Sequence, residues 1–202
     1  MKTDIVLAGV GGQGILSIAN VIGVAALKDN LFLKQAEVHG MSQRGGDVQS
    51  NLRISSEPIS SDLIPLNSAD IVVSLEPMEA LRYMPYLKKT GWLVTNTTPF
   101  INIDNYPSVK ELLQELEKTS NLVAFDMDEI AKQIGSPRSS NMVLLGAASP
   151  FTGIPVESLE EGIKEFFAKK GEKICKANLD AFRAGREETI EFLTERNKDI
   201  PL

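Results

Sequence analysis

Four glycines fall within six positions of the stretch LAGVGGQGIL, near the start of the chain. The residues before this loop (4–9) are apolar and predict a buried strand, and the residues after it (14–28) predict a helix buried on nearly all sides. Gly9, Gly11 and Gly14 have the spacing G-x-G-x-x-G, which allows a tight turn and a close approach of main-chain N–H groups to a phosphate. Since a helix N-terminus also favours negative charge, the loop predicts an anion-binding turn in an α/β fold.

Predicted strands and helices alternate as far as about residue 135, and the rest of the chain is predicted to be helical. This alternation is typical of a Rossmann-like layered α/β fold with a mostly parallel sheet. No linker rich in Pro, Gly or Ser precedes the helical tail, so we expect a single domain over residues 1–202 with the tail packed on the same domain. The predicted strands are residues 4–9, 31–38, 48–54, 69–77, 92–96 and 121–126, and the predicted helices are residues 14–28, 108–118, 126–135, 141–149, 156–171 and 172–196, with another helix starting at Glu76 and Pro77.

Alternating polarity marks the segment 48–54. Gln49, Asn51 and Arg53 occupy one face of the predicted strand, and apolar residues occupy the other. A strand with one polar face is typical of an antiparallel strand with one side in water. The pattern therefore predicts a half-exposed antiparallel strand at an edge of the sheet.

Composition excludes several classes of protein. The formal net charge is -6 with no long block of one sign, which argues against a nucleic-acid partner. Cys175 is the only cysteine and His39 the only histidine, so the sequence predicts no disulfide framework and no metal site. No apolar run approaches ~18 residues, and the N-terminal segment is too short and too acidic for a signal peptide, so we expect a cytoplasmic protein without a membrane contact.

A second glycine-rich segment follows in EVHGMSQRGGDVQSNLRI, residues 37–54. Arg44 directly precedes Gly45 and Gly46, where two glycines permit a concave array of N–H groups and the guanidinium offers a bidentate fork for phosphate or carboxylate. Alternatively, the segment is a surface turn with a solvated arginine, and the first loop only packs its helix tightly. The sequence predicts an anion-binding crevice built from Gly9, Gly11, Gly12, Gln13, Gly14, Arg44, Gly45 and Gly46.

The first loop also permits a dinucleotide reading. A ribose-binding acid is expected ~20 residues beyond the glycines, and the nearest candidate is Glu37. The alternative function is therefore a free-standing Rossmann-type dinucleotide-binding oxidoreductase or regulator. His39 is a candidate proton donor near neutral pH, or a hydrogen-bonded loop residue.

Several motifs in order resemble one family. GVGGQG, EVHGMSQRGGDVQSNLRIS, ADIVVSLEPMEALRY, NMVLLGAASPFTGIP and KICKANLDAFRAG together span almost the whole chain. They resemble the gamma-type domain of the 2-oxoacid:ferredoxin oxidoreductases. Within that family, EVHGMSQRGG with SLEPMEALRYMPYL is most similar to the small (beta) subunits of indolepyruvate ferredoxin oxidoreductases.

The resemblance implies a reaction. A 2-oxo acid adds to thiamine diphosphate and is decarboxylated, electrons leave through iron–sulfur clusters to ferredoxin, and the acyl group passes to coenzyme A. With indolepyruvate, the products would be an arylacetyl-CoA, carbon dioxide and reduced ferredoxin.

The chain lacks the residues to hold those cofactors. An iron–sulfur cluster is usually held by four thiolates, and no thiamine diphosphate signature of Gly-Asp-Gly followed by paired Asn is present. The resemblance therefore implies a larger alpha subunit that carries both cofactors, and a chain that is inactive alone. This chain would complete the active site and receive coenzyme A phosphates at its two glycine loops, with Glu37 and His39 facing the partner's cofactor or substrate. A non-catalytic assembly scaffold in the same complex is the remaining alternative.

Overall fold

A six-stranded sheet lies at the centre of the structure, a computed structural model that describes residues 1–40, 45–101 and 103–196. Each predicted strand is present, although the ends differ by a few residues. The strands are β1 (Lys2–Val10), β2 (Phe32–His39), β3 (Asp47–Ser55), β4 (Ala69–Ser74), β5 (Leu87–Asn96) and β6 (Leu122–Phe125).

The sheet has the strand order β2-β3-β1-β4-β5-β6. β1, β4, β5 and β6 pair in parallel, whereas β3 is antiparallel to both of its neighbours. The predicted mostly parallel α/β sheet is confirmed. Because the chain passes from β1 to β2 and β3 on one side and later returns to β4 on the other side of β1, the carboxyl end of β1 lies at a topological switch point, where open α/β sheets form binding crevices.

The environment of β3 differs from the prediction. The antiparallel pairing is confirmed, but β2 forms the edge and β3 lies inside the sheet, with Gln49 and Asn51 buried at 9% and 4% exposure. These polar side chains satisfy one another, since the Gln49 amide donates to the Asn51 carbonyl over 3.3 Å. Arg53 donates to both carboxylate oxygens of Asp4 on β1, over 2.8 and 3.0 Å. The alternation of residues in the sequence identified the polar face of β3 correctly. Hydrogen bonds within the protein, rather than water, satisfy the polar side chains of that face.

Helices cover both faces of the sheet. The first, sixth and seventh helices share one apolar core with the fourth and fifth, which places the C-terminal helical tail on the same sheet as predicted. The second and third helices pack on the opposite face. The helices are α1 (Ile15–Lys28), α2 (Pro77–Tyr83), α3 (Val109–Leu116), α4 (Met127–Gln133), α5 (Ser140–Ala148), α6 (Val156–Phe167) and α7 (Glu172–Glu195).

α5 and α7 cross with their main chains in direct contact. A Cβ atom on Gly146 of α5 would lie 1.8 Å from the carbonyl oxygen of Phe182, and one on Gly185 of α7 would lie 1.9 Å from that of Val143. No side chain fits at either position, so the two glycines set the distance between the helices. This contact fixes the C-terminal helix against α5, whose first turn lies at the switch-point crevice.

Candidate functional site

A crevice opens at the carboxyl ends of β1, β4 and β5, where the topology predicts one. Its cavity is about 190 Å³, which is below the size of pockets that enclose whole cofactors, about 300–1,000 Å³. A phosphate-sized group fits this space, whereas a complete dinucleotide does not. The residues that line it are Gln13, Leu75, Asn96, Thr98, Pro99, Phe100, Asp128, Pro137, Arg138, Ser140 and Asn141.

The two glycine loops meet directly beside this crevice. The main-chain N–H of Gly11 donates to the carbonyl of Gly46 over 2.8 Å. Gly12 and Gly14 adopt φ angles of 104° and 88°, a left-handed conformation that favours glycine. The structure thus brings together the two loops that the sequence singled out. Arg44 lies outside the described residues.

Gln13 joins the ends of two strands. Its side-chain carbonyl accepts from the N–H of Val10 over 2.7 Å, and its amide donates to the carbonyl of Leu75 over 3.1 Å. Both polar ends of the side chain therefore contact main chain on either side of the switch point. The geometry gives Gln13 a role in shaping the glycine loop; a contact to a ligand stays a prediction.

Asn141 fixes the start of α1 from the other side of the crevice. Its amide donates to the carbonyl of Gly14 over 3.2 Å, and a Cβ atom at Gly14 would lie only 2.6 Å from that amide nitrogen. Gly14 is the N-cap of α1 and has no side chain to cap the helix. No side chain therefore caps the N-terminus of α1, which begins directly after Gln13 and Gly14 beside the crevice.

A polar network forms the far wall. The Asp128 carboxylate accepts from the Asn96 amide over 2.9 Å and from the Ser140 hydroxyl over 2.5 Å. The Asn96 carbonyl accepts from the N–H groups of Thr98 and Met127, over 3.2 and 2.9 Å. Asn96 is 1% exposed, so it holds the ends of β5 and the start of α4 in a fixed relation.

A buried carboxylate anchors the loop that follows β5. Glu76 is fully buried at the N-cap of α2, where it accepts from the N–H of Glu79 over 2.9 Å. Its other oxygen accepts from the N–H of Phe100 over 3.4 Å and from the hydroxyl of Tyr106. Burial, together with the hydrogen bond to Glu76, raises the pKa of Tyr106, so this phenol remains a neutral donor. The helix N-terminus stabilises the charge of the carboxylate.

α2 also contacts the second glycine loop. The hydroxyl of Tyr83 donates to Asp47, which directly follows Gly46, over 3.2 Å. Burial, followed by the nearby charge of Asp47, raises the pKa of Tyr83. Burial likewise raises the pKa of Glu79, although the guanidinium of Arg82 donates to it over 2.9 Å. A single short helix therefore holds both the Gly46 turn and the loop after β5.

Glu37 and His39 lie on β2, at the edge of the sheet. They are two residues apart and share a face, and an imidazole nitrogen of His39 contacts the Glu37 carboxylate. His39 pairs with Val48, which in turn pairs with Gly9, so the histidine is two strands, roughly 10 Å, from the first glycine loop. The pair is half-exposed, and its catalytic role stays a prediction.

This strand order disfavours the dinucleotide alternative. A ribose-binding acid must lie on the strand next to β1, but β3 separates β2 from β1. Glu37 is also engaged by His39 and, over 3.4 Å, by the Gln35 amide. The acid that the sequence offered is therefore displaced from the glycine loop.

The chain has too few cysteines to hold an iron–sulfur cluster. Cys175 is the only cysteine of the chain, it lies half-buried on α7, and it packs against the apolar core. A cluster usually requires four thiolates. Within the described ranges, no helix is both long and apolar enough to cross a bilayer.

Residues 4–188 match the family described as pyruvate ferredoxin/flavodoxin oxidoreductase. The chain belongs to this family. A protein of Thermococcus kodakarensis named indolepyruvate oxidoreductase subunit IorB is 38% identical over 199 residues, which cover 94% of this chain and 97% of the relative. The family resemblance of the sequence motifs is thereby confirmed.

Solved structures agree in fold. A 2-oxoglutarate:ferredoxin oxidoreductase from Magnetococcus marinus, with 2-oxoglutarate, coenzyme A and succinyl-CoA bound, is similar with a TM-score of 0.74 and 26% identity over 94% of this chain. This chain corresponds to only 31% of that longer chain. The gamma subunit of a keto/oxoacid ferredoxin oxidoreductase from Geobacter sulfurreducens has a TM-score of 0.71 at 24% identity, with 94% of this chain and 99% of that chain covered.

Sequence reasoning missed the far wall of the crevice. Asn96 is the last residue of one predicted strand and Asp128 follows the next, both at the carboxyl edge of the sheet, and polar residues at that edge are the signal that could have identified them. Glu76 also contacts the loop after β5, since it accepts from the Tyr106 hydroxyl and from the Phe100 N–H. Arg138 lines the same crevice.

Proposed function

We propose that this chain is the small subunit of an indolepyruvate-type 2-oxoacid:ferredoxin oxidoreductase and is inactive without a larger subunit. The likeness to IorB carries the proposal, because 38% identity extends over 94% of the chain rather than over one motif. The switch-point crevice and the single cysteine support it from the structure. The complex would act in the cytoplasm.

The larger subunit is expected to hold thiamine diphosphate, which supplies the decarboxylation chemistry, and the iron–sulfur clusters that pass electrons to ferredoxin. The overall reaction would convert indolepyruvate and coenzyme A to an arylacetyl-CoA and carbon dioxide, with two electrons leaving to ferredoxin and the thiol proton of coenzyme A released to solvent. This chain contributes the walls of the acyl-acceptor site. Glu37 and His39, half-exposed on the edge strand, would face the partner.

The glycine loops are proposed to receive phosphate groups of coenzyme A. Gly11 and Gly46 are hydrogen-bonded to each other, so the loops form one continuous surface at the N-terminus of α1. The crevice beside them takes a phosphate-sized group rather than the whole coenzyme. Arg44, next to Gly45 and Gly46 in the sequence, would add a guanidinium with bidentate geometry.

A substrate panel tests the proposed reaction. The chain is co-expressed with the large subunit of the same host, and ferredoxin reduction is measured with indolepyruvate, pyruvate and 2-oxoglutarate in turn. We expect the highest kcat/KM with indolepyruvate. A preference for pyruvate or 2-oxoglutarate would overturn the indolepyruvate assignment, and failure of the two chains to co-purify would overturn the subunit role.

An arginine variant tests the role of the loops within that complex. Arg44→Ala is expected to raise the KM for coenzyme A by roughly tenfold, because a charge-assisted contact is lost, while the complex still assembles. Lys34→Ala is the matched control, since Lys34 lies at the opposite end of β2 and donates to the carbonyl of Ser60. An unchanged KM and rate with Arg44→Ala would favour the scaffold alternative.

A further inference from the structure

A second cleft opens between the first turn of α5, the end of α6 and the first turns of α7. It has a volume of about 680 Å³, which is within the range of pockets that hold small organic ligands. It adjoins the switch-point crevice through Pro137, Arg138 and Asn141, which line both. Ser17 in the first turn of α1 also lines it, and Asn141, which donates to the carbonyl of Gly14, lies between the cleft and the first glycine loop; residues 9–14 and 45–46 themselves do not line it.

The charge of this cleft is opposite to that of the chain. Arg138, Lys170 and Lys173 line it, and no Asp or Glu is among the described residues that do so, although the chain as a whole has a net charge of -6. Within the described part of the chain, none of these three cations forms a salt bridge. Three unpaired cations around one concave surface repel one another and create a strong local positive potential.

In a neighbouring groove on the other side of α7, cations do form salt bridges. That groove has similar side chains, but Lys176 pairs with Asp180, and Arg183 donates to both carboxylate oxygens of Glu160, over 2.6 and 2.7 Å. Two of the three cations that line this groove, Lys176 and Arg183, are therefore neutralised by adjacent carboxylates. The unpaired set in the cleft is therefore not a general property of this helical surface.

The cleft also has an apolar wall and placed polar groups. The Lys170 ammonium lies 5.1 Å from the centre of the Phe167 ring and 5.8 Å from that of the Phe166 ring, and both Lys170 and Phe167 line the cleft. Ile174 is 45% exposed at the same surface. Ser136 and Ser139, whose hydroxyls lie 2.8 Å apart, supply hydroxyl groups at the Arg138 end.

We propose that this cleft binds a phosphorylated organic anion of nucleotide size, with its phosphates between Arg138, Lys170 and Lys173 and its uncharged part against Phe167 and Ile174. A single inorganic phosphate would leave most of the volume unfilled and the apolar wall in water. A diphosphate that bears a flat or hydrocarbon group satisfies both the charges and the wall. The proposal goes beyond the subunit role and does not depend on it.

Calorimetric titration of the full chain with ADP, inorganic pyrophosphate and coenzyme A tests the proposal. We expect ADP to bind, and to bind more tightly than pyrophosphate because only ADP reaches the apolar wall. Lys173→Ala and Arg138→Ala should each weaken ADP binding by roughly tenfold, since each removes one charge-assisted contact. Lys169→Ala is the matched control, because Lys169 lies beside Lys170 in the sequence but does not line the cleft.

The outcomes are distinct. Failure of wild-type chain to bind ADP overturns the proposal, as does ADP binding that neither Lys173→Ala nor Arg138→Ala weakens. The variant side chains are exposed, and equal unfolding temperatures will show that the fold is retained. If coenzyme A binding depends on Lys173 as ADP binding does, the nucleotide end of that coenzyme lies in this cleft and not at the glycine loops; if ADP binds and coenzyme A does not, the ligand is a free nucleotide. Neither result bears on which 2-oxo acid the assembled enzyme uses.

Discussion

The main-chain N–H of Gly11 donates to the carbonyl of Gly46 over 2.8 Å, and the N–H of Gly45 donates to the carbonyl of Gly11 over 3.5 Å, so that these bonds join two glycine-rich loops that are distant in the sequence. The first loop follows β1 and the second precedes β3, and β1 and β3 pair antiparallel from Gly9↔Val48 to Lys2↔Ser55. The pairing brings the end of one strand to the start of the other. An anion held at the N-terminus of α1 would therefore contact both loops at once.

Gly14 is expected to tolerate no side chain. Gly14→Ala should lower the free energy of unfolding by about 2–3 kcal/mol, since φ is 88° and the new Cβ atom would lie 2.6 Å from the Asn141 amide. Gly12→Ala is the matched control, because its φ is also positive, at 104°, but the space around it is open. Denaturant unfolding of both variants separates the cost of backbone strain from the cost of the contact with Asn141. Equal losses would show that the Asn141 contact contributes nothing.

The crossing of α5 and α7 supports a second prediction. Gly185→Ala should destabilise the chain by about 2–4 kcal/mol, because its Cβ atom would lie 1.9 Å from the carbonyl oxygen of Val143 and the helices must separate. Glu188→Ala, on the exposed side of the same helix, should change stability by less than about 0.5 kcal/mol. Thermal unfolding measures both. A neutral Gly185→Ala would contradict the close crossing of the two helices.

Tyr106 is predicted to stabilise the loop after β5 through Glu76. Tyr106→Phe should cost about 1.5–3 kcal/mol, since it removes a hydroxyl that donates to a fully buried carboxylate. Tyr86→Phe serves as the comparison, because the ring of Tyr86 packs 6.1 Å from that of Tyr83 and the change leaves this contact intact. Chemical denaturation is the measurement. Similar costs for the two variants would remove the special role of the Glu76–Tyr106 bond.

Glu79 should make stability depend on pH. Burial raises its pKa in the folded chain, so the folded state binds this proton more readily than the unfolded state, and the contribution of Glu79 to stability falls as the pH rises from the ordinary glutamate pKa through the raised one. Glu79→Gln removes this loss and can still accept from Arg82. The variant should therefore gain stability relative to wild type over the pH range that begins at the ordinary glutamate pKa of about 4.3 and extends upward to the raised pKa.

Unfolding titrations at several pH values follow that difference. Glu191→Gln, an exposed change on α7, should show no such trend. A Glu79→Gln variant whose difference from wild type stays constant over this pH range, or declines with rising pH, would contradict the burial of an ionisable Glu79.

Those features of the fold that depend on a local sequence pattern could be predicted from the sequence. Glycine spacing and apolar periodicity identified the turn between β1 and α1, and the alternation of elements identified the mostly parallel sheet. It placed β3 wrongly because a period of two reports which side chains share a face, not whether water or another side chain satisfies them. Gln49 and Asn51 satisfy each other inside the fold, which only the tertiary arrangement shows.

The candidate site was predicted in the same partial way. Both glycine loops were identified from sequence, but Asn96 and Asp128 were not, because their hydrogen bond connects elements that meet only after the sheet is assembled. Glu37 has the expected distance along the chain for a ribose-binding acid, yet β3 inserts between β2 and β1 and separates it from the glycines. The strand order, rather than the spacing along the sequence, therefore decides whether Glu37 lies beside the glycine loop.

Ferredoxin reduction by this chain alone, by the large subunit alone and by their mixture, with indolepyruvate and coenzyme A supplied, is the most direct test of the account. It predicts turnover only in the mixture, rising with added small subunit until a fixed ratio is reached. Decarboxylation of any 2-oxo acid by this chain alone, or full activity of the large subunit without it, would contradict the account.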